Sequence, residues 1–195
     1  MRRHEHKREK KKRLYMSLFI VMIMTLSVLG YMIGSGYEDQ TKFEYNDFKF
    51  NQITNRWKTK INNYDVIFDY SPLQVEHINI TPNIIERIKN SPQIDTTSNI
   101  NSSFKEAIAL AQYNLAQLLA LNNNFLRGGF TTENEFNTSI ITCEGATQYI
   151  PVLLFEKSNQ TKIYEENNCI IIKARSEQDV IALKDRLAYG VFGII

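Results

Sequence analysis

The first 33 residues constrain this chain more than any other part of it. Arg2, Arg3, Lys7, Arg8, Lys10, Lys11, Lys12 and Arg13 come first, and Leu14 to Ile33 then pass without one charged side chain. Twenty such residues make a helix of about 30 Å, the thickness of one hydrocarbon core. Ser17, Thr25 and Ser27 fit it, because a hydroxyl can bond back to the helix's own carbonyls. The leader (residues 1–13), with Glu5 and Glu9 as its only acids, carries +6. By the positive-inside rule it stays cytoplasmic, residues 14–33 cross the bilayer, and the rest of the chain lies outside. That predicts a single-pass protein of the cell membrane, anchored through the lipid bilayer. A cleaved signal peptide is the alternative. Gly34-Ser35-Gly36 offers a small-x-small site, but the apolar run exceeds the roughly 7–15 residues of a signal core. An interfacial helix is disfavoured because the run is apolar on every face. A type IV pilin leader needs a glycine just before the apolar run, where this chain has Arg13.

Separating the leader changes the charge reading. The whole chain sums to +2, so residues 34–195 sum to −4. The basic footprint of a nucleic-acid binder is absent from that part, and no nucleic-acid partner is expected. The leader's lysines can also meet anionic head groups on the cytoplasmic side. The remaining length, about 160 residues, suits one domain with a real core.

Cys143 and Cys169 are the two cysteines, and both follow the anchor. An even pair on the oxidising side of a membrane reads as a disulfide. Closing a loop of about 27 residues stabilises by roughly 3.5 kcal/mol on the chain-entropy account. Two buried free thiols are the alternative, since each cysteine borders a β-branched run. Asn79, Asn101, Asn137 and Asn159 open Asn-x-Ser/Thr sequons; Asn101, Asn137 and Asn159 are the candidate acceptors in a host that glycosylates exported proteins. Asn79 is the poorer one because Pro82 follows its Thr81.

Residues 34–41 read as a short polar stalk and 42–195 as an extracytoplasmic α+β domain. Asn46-Asp47 suits a two-residue turn that sets Glu44 opposite Lys49. Asn62-Asn63 suits a type I′ turn. Folding about it pairs Ile61 with Tyr64, Thr59 with Val66 and Trp57 with Phe68 on an apolar face, and Lys60 with Asp65 and Arg56 with Asp69 on a charged one. Thr81-Pro82 starts a short helix to about Asn90. Ser103-Phe104-Lys105-Glu106 reads as a capping box for a helix with Ile108, Ala111, Leu115, Leu118 and Leu119 on one stripe, the expected central core element. Strands are predicted near 125–131, 138–143, 149–156, 161–164 and 168–174, with Ser158-Asn159-Gln160 as a hairpin-type connection. A last helix runs from Ser176 to about Tyr189, with Asp185-Arg186 on its polar face. The sum is one mostly antiparallel sheet packed against two main helices.

His77 is the only histidine beyond the leader, which rules out a multi-histidine metal site in the domain. No cofactor or metal is expected. Ile140-Ile141-Thr142-Cys143, with His77 upstream and Arg175 downstream, looks like the strand end and catalytic set of sortases. That resemblance implies a cysteine transpeptidase using Cys143, His77 and Arg175. Three departures count against it: a long helix between His77 and Cys143, Ser139 or Ile140 in place of the motif's leading threonine, and Arg175 beyond a second cysteine. No Gly-rich phosphate loop and no Gly-x-Ser-x-Gly elbow is present.

Asn168-Cys169-Ile170-Ile171-Ile172, the later Asp185-Arg186-Leu187-Ala188-Tyr189, and Gly193-Ile194 resemble the tail of uncharacterised single-pass surface proteins of archaea. Thr142-Cys143-Glu144-Gly145-Ala146-Thr147 and Pro151-Val152 share that look. The resemblance implies an anchored surface domain and brings no activity or site residues. The expectation is a non-enzymatic module that binds a protein or envelope partner close to the bilayer, with a cysteine-dependent envelope enzyme as the alternative.

Overall fold

The computed structural model describes residues 2–34 and 41–195, with side chains for 11–30 and 41–195. Residues 35–40, most of the expected stalk and of the Gly34-Ser35-Gly36 site, lie outside the described residues. Helix α1 (Arg2–Gly34) carries the apolar run and extends back through the basic leader. Its span Lys11–Gly30 has a mean hydropathy of 1.8, and none of it is buried. One helix long and apolar enough to cross a membrane therefore stands at the N-terminus. Residues 41–195 form a separate compact unit.

That unit begins with a four-stranded antiparallel sheet in chain order: β1 (Lys42–Tyr45), β2 (Phe48–Ile53), β3 (Arg56–Ile61) and β4 (Tyr64–Phe68). Both expected Asn turns form. Asn46 and Asp47 have φ of 44° and 69°, and Asn62 and Asn63 have φ of 50° and 68°, the left-handed values a type I′ turn requires. The pairings Glu44–Lys49, Trp57–Phe68, Thr59–Val66, Lys60–Asp65 and Ile61–Tyr64 all hold. One ion pair shifts diagonally: Asp65 meets Lys58 at 2.6 Å rather than Lys60 opposite it. Phe50, Phe68, Val66 and Ile61 turn inward, while Lys49, Lys60 and Asp65 face water.

The second sheet corrects the expectation of one mostly antiparallel sheet. After α2 (Pro72–Val75) and α3 (Pro82–Asn90) come β5 (Gln93–Ser98), α4 (Lys105–Ala120), β6 (Phe125–Phe130), β7 (Val152–Lys157), β8 (Lys162–Glu166), β9 (Cys169–Ala174) and α5 (Glu177–Val191). The strand order is β6-β5-β7-β9-β8. The pairings β5–β6, β5–β7 and β7–β9 are parallel; only β8–β9 is antiparallel. Parallel neighbours need a long crossover, and α4 supplies it between β5 and β6. Ser158-Asn159-Gln160 closes no hairpin, because β9 inserts between β7 and β8. The hairpin is β8–β9, turned by Asn167 and Asn168 at φ of 49° and 66°.

The core element also differs from expectation. Helix α5, more than α4, is the one enclosed: every residue from Leu183 to Val191 is buried. It packs on α2, α3, α4 and β9, and its Tyr189 ring sits 4.2 Å from Phe68 and 6.0 Å from Phe50 in the first sheet. Gly190 lets α3 approach, since a Cβ there would lie 2.4 Å from Ile85 Cδ1. The second sheet buries both faces. Ile94, Leu153, Phe155, Ile170 and Ile172 join the main core. Val152, Cys169 and Ile171 form a smaller cluster with Ile141.

Candidate functional site

Cys143 and Cys169 stand at disulfide distance, their Cα atoms 5.2 Å apart. Cys169 is fully buried in β9, and Cys143 opens a 3-10 turn over the smaller cluster. The strand expected over 138–143 shrinks to a single bridge between Ile140 and Phe130. His77 is exposed in the segment joining α2 to α3, helices that pack on α5. Arg175 is exposed just past β9, donating to Thr161 Oγ1 at 3.2 Å beside Asp179. Six residues of strand separate it from Cys169, about 20 Å. The fold does not gather Cys143, His77 and Arg175 into one place. Asn101, Asn137 and Asn159 are all exposed and lie in loops.

Two features escaped the sequence reading. The first is a buried charged joint. Asp185 and Arg186, expected on a polar helix face, are 0 % and 8 % exposed. Lys184 Nζ lies 2.9 Å from Asp69 Oδ2 and 2.5 Å from Asp185 Oδ1. Asp185 Oδ2 accepts hydrogen bonds from the backbone N–H groups of Asp69 at 2.9 Å and Tyr70 at 2.8 Å. Tyr189 OH donates to Tyr70 O at 2.6 Å, and Arg186 Nε donates to Ile78 O at 2.9 Å. Burial raises the Asp185 carboxyl from 3.8 to about 6, against the pull of Lys184 and the Tyr70 N–H. Three consecutive charges between apolar neighbours on a helix were the available signal. A cleft of about 700 Å³ containing Trp57, Arg56, Asp69 and Tyr70 opens above this joint. The carboxylate at its base is already engaged by Lys184 and by Arg56 at 3.5 Å. The joint fastens α5 to the end of the first sheet.

The second feature begins with β5, whose Asp95, Thr96, Thr97 and Ser98 are buried. Buried polar groups need partners, and most have them. Arg127 grips Asp95 with two hydrogen bonds of 2.9 and 2.5 Å. Thr96 Oγ1 donates to Leu153 O at 3.3 Å and accepts from Gln112 Nε2 at 3.0 Å. Thr97 Oγ1 donates to Ile141 O at 2.8 Å. Ser98 is 3 % exposed. It lines a second cleft of about 680 Å³. Lys105, Glu106, Ala109 and Gln112 of α4 form one wall; Phe130 and Phe136 form another. The expected capping box is absent: Phe104 occupies the N-cap, and Ser103 Oγ accepts from Lys157 Nζ at 2.9 Å.

Two adjacent glycines shape this cleft in opposite ways. A Cβ on Gly129 would fall 2.4 Å from Ser139 O, so the crossing of residues 139–141 requires glycine there. A Cβ on Gly128 meets nothing within 4 Å, so its missing side chain leaves the cleft floor open. Strand β6 is also the end of its sheet. Phe125 and Thr131 donate toward the β5 side, so the intervening odd residues do too. Phe130 points the other way, giving its N–H to Ser139 O at 3.1 Å and accepting from Ile141 N at 2.9 Å. Leu126 and Gly128 share its direction, and their N–H and C=O groups have no partner among the described residues. Phe125, Phe136 and Ile140 nearby are 62 %, 66 % and 54 % exposed. An open strand edge thus borders a cleft with mixed apolar and polar walls, an arrangement that can bind and orient a partner. Among the described residues no cluster of three or more His, Cys, Asp or Glu has the makings of a metal site. No protein-family model, no curated protein and no solved structure matches the chain.

Proposed function

We propose that the protein is a single-pass membrane protein whose domain, residues 42–195, works outside the cell membrane as a non-enzymatic module that holds a protein or envelope partner near the bilayer. The observation that carries this reading is helix α1. Its uncharged run from Leu14 to Gly30 has no protein cover, so in water it would expose a whole helix of hydrocarbon, which a bilayer removes. The +6 leader orients it with the N-terminus in the cytoplasm. The cysteine pair at disulfide distance fits the oxidising side. A stalk of about eight residues reaches at most about 28 Å, which keeps the domain's partner near the membrane.

Binding is preferred to catalysis because Cys143 faces Cys169 and Arg175 stands at the far end of β9. Protease added outside intact cells should degrade the domain, and full protection would overturn the orientation. Crosslinking on the same cells should capture the full-length protein with a partner. Recovery of the protein alone, under conditions that trap known complexes, counts against the binding role.

A further inference from the structure

We propose that the open edge of β6 takes up an extended segment of a partner polypeptide as an additional strand, with one large side chain of that segment seated in the cleft beside Gly128. The inference rests on the binding role above and names the chemistry of the partner. Unpaired N–H and C=O groups at Leu126 and Gly128 repeat along the edge at the spacing of alternate strand residues, and another backbone is the ligand that matches that repeat. The edge already accepts a strand at its end. Phe130 pairs in parallel with Ile140. Upstream of that bridge the chain turns away: Asn134 Oδ1 accepts from Phe136 N and Thr138 N, both at 3.1 Å, and Asn137 has φ of 50°. The Thr138 N–H and C=O, next in line before Ser139–Ile141, are spent on the Asn134 side chain and not on Gly128.

The other edges are protected in the usual ways. Strand β1 is four residues long and carries Lys42 and Glu44. Strand β4 carries Asp65, and β8 carries Lys162, Glu165 and Glu166. Strand β6, Phe125–Phe130, has one charge, Arg127, which Asp95 occupies on the sheet face. It has no proline, and exposed Phe125 lies on it. The cleft adds selectivity. Phe130 and Phe136, their rings 6.4 Å apart, offer apolar contact. The Ser98 hydroxyl and the Gln112 side chain offer hydrogen bonds to a polar tip, so a tyrosine-like side chain suits the site.

The test uses full-length protein in lipid nanodiscs, panned against a displayed library of random linear dodecapeptides. A selected peptide, made synthetically, should slow amide exchange at Leu126 and Gly128 by about tenfold or more. Gly128→Val should weaken that peptide by about tenfold or more with the melting temperature unchanged or raised. Its side chain enters open space, and a β-branched residue suits a strand. The proposal is overturned if no peptide is selected, if protection falls elsewhere, or if Gly128→Val binds as tightly as the natural sequence. Concentration-dependent protection of the same amides without peptide would give the edge to a second copy and also overturn it. A partner crosslinked on cells and retained by Gly128→Val would leave the binding role standing while this edge loses it.

Discussion

The two sheets were built by different rules. In the first, each strand pairs with its neighbour in sequence through a turn of two residues, and inward residues such as Phe50, Ile61, Val66 and Phe68 alternate with exposed Lys49, Lys60 and Asp65. In the second, β5 lies between β6 and β7, which follow it only after α4 and a long loop. Both faces of that sheet are covered, so alternation loses its meaning. Local pairing writes its register into a few adjacent residues. Non-local pairing distributes it over groups far apart in sequence, and the strength of the sheet then depends on the packing that joins them.

Distant joints should accordingly cost more to break than local turns. The largest effect is expected at Lys184. Lys184→Ala leaves Asp185 and the inward oxygen of Asp69 without their cation, and should destabilise by about 3–5 kcal/mol in denaturant titration. Lys184→Met, which keeps the volume but not the charge, should recover little if charge is the cause. Next comes the cysteine pair. Cys143→Ser, or reduction of the natural protein, should cost about 3 kcal/mol, and the melting curve should be insensitive to reductant in the variant.

A third effect depends on pH. The Asp185 carboxyl is higher in the fold than in the unfolded chain, from 3.8 to about 6, chiefly through burial. The folded state therefore holds a proton that the unfolded state has released between those values. This group's contribution is most favourable below about pH 4 and is lost as pH rises through about 6. Asp65 and Asp179 act oppositely. Lys58 holds Asp65 low, and the Thr161 hydroxyl with the Arg175 N–H holds Asp179 low despite its burial. Their contribution is present at neutral pH and lost in acid. The difference in stability between natural protein and Asp185→Asn isolates the first group. It should change by on the order of 2–3 kcal/mol between pH 4 and pH 7, and a flat difference would remove the burial account. The smallest effect is expected at the turns. Asn63→Ala should cost about 1 kcal/mol, the strain of a left-handed residue with a Cβ. Asn168→Ala should match it, because local turn chemistry is the one device the two sheets share.

The same contrast explains what could be read in advance. The register of the Asn62-Asn63 hairpin was legible, since turn, apolar face and charged face agree on it, while the partner of Asp65 was not. Strand β5 was not. Gln93-Ile94-Asp95-Thr96-Thr97-Ser98 has the composition of a surface loop, and only Arg127, Gln112, Leu153 and Ile141 make its burial affordable. With β5 hidden in this way, its parallel pairings with β6 and β7 are hidden too. Helix α5 was located correctly, but its charged run Lys184-Asp185-Arg186 suggested water where the fold places the first sheet and the α2–α3 segment. The cleft beside β6 needs β5, α4 and β6 together, so no local pattern announces it. Gly128-Gly129 was visible in the sequence, but the opposite roles of its two members are set by residues 139–141.

Helix α5 follows β1 to β9 in chain order and, among the described residues, packs on α2, α3, α4 and β9. During synthesis from the N-terminus, the apolar faces of both sheets are made before the helix that covers them. Until Val191 has emerged, Phe50, Phe68, Ile170 and Ile172 lack their shared partner and remain open to misassociation. The interval between β9 and the completion of α5 is the vulnerable moment, when a holding chaperone competes with α5 for those faces.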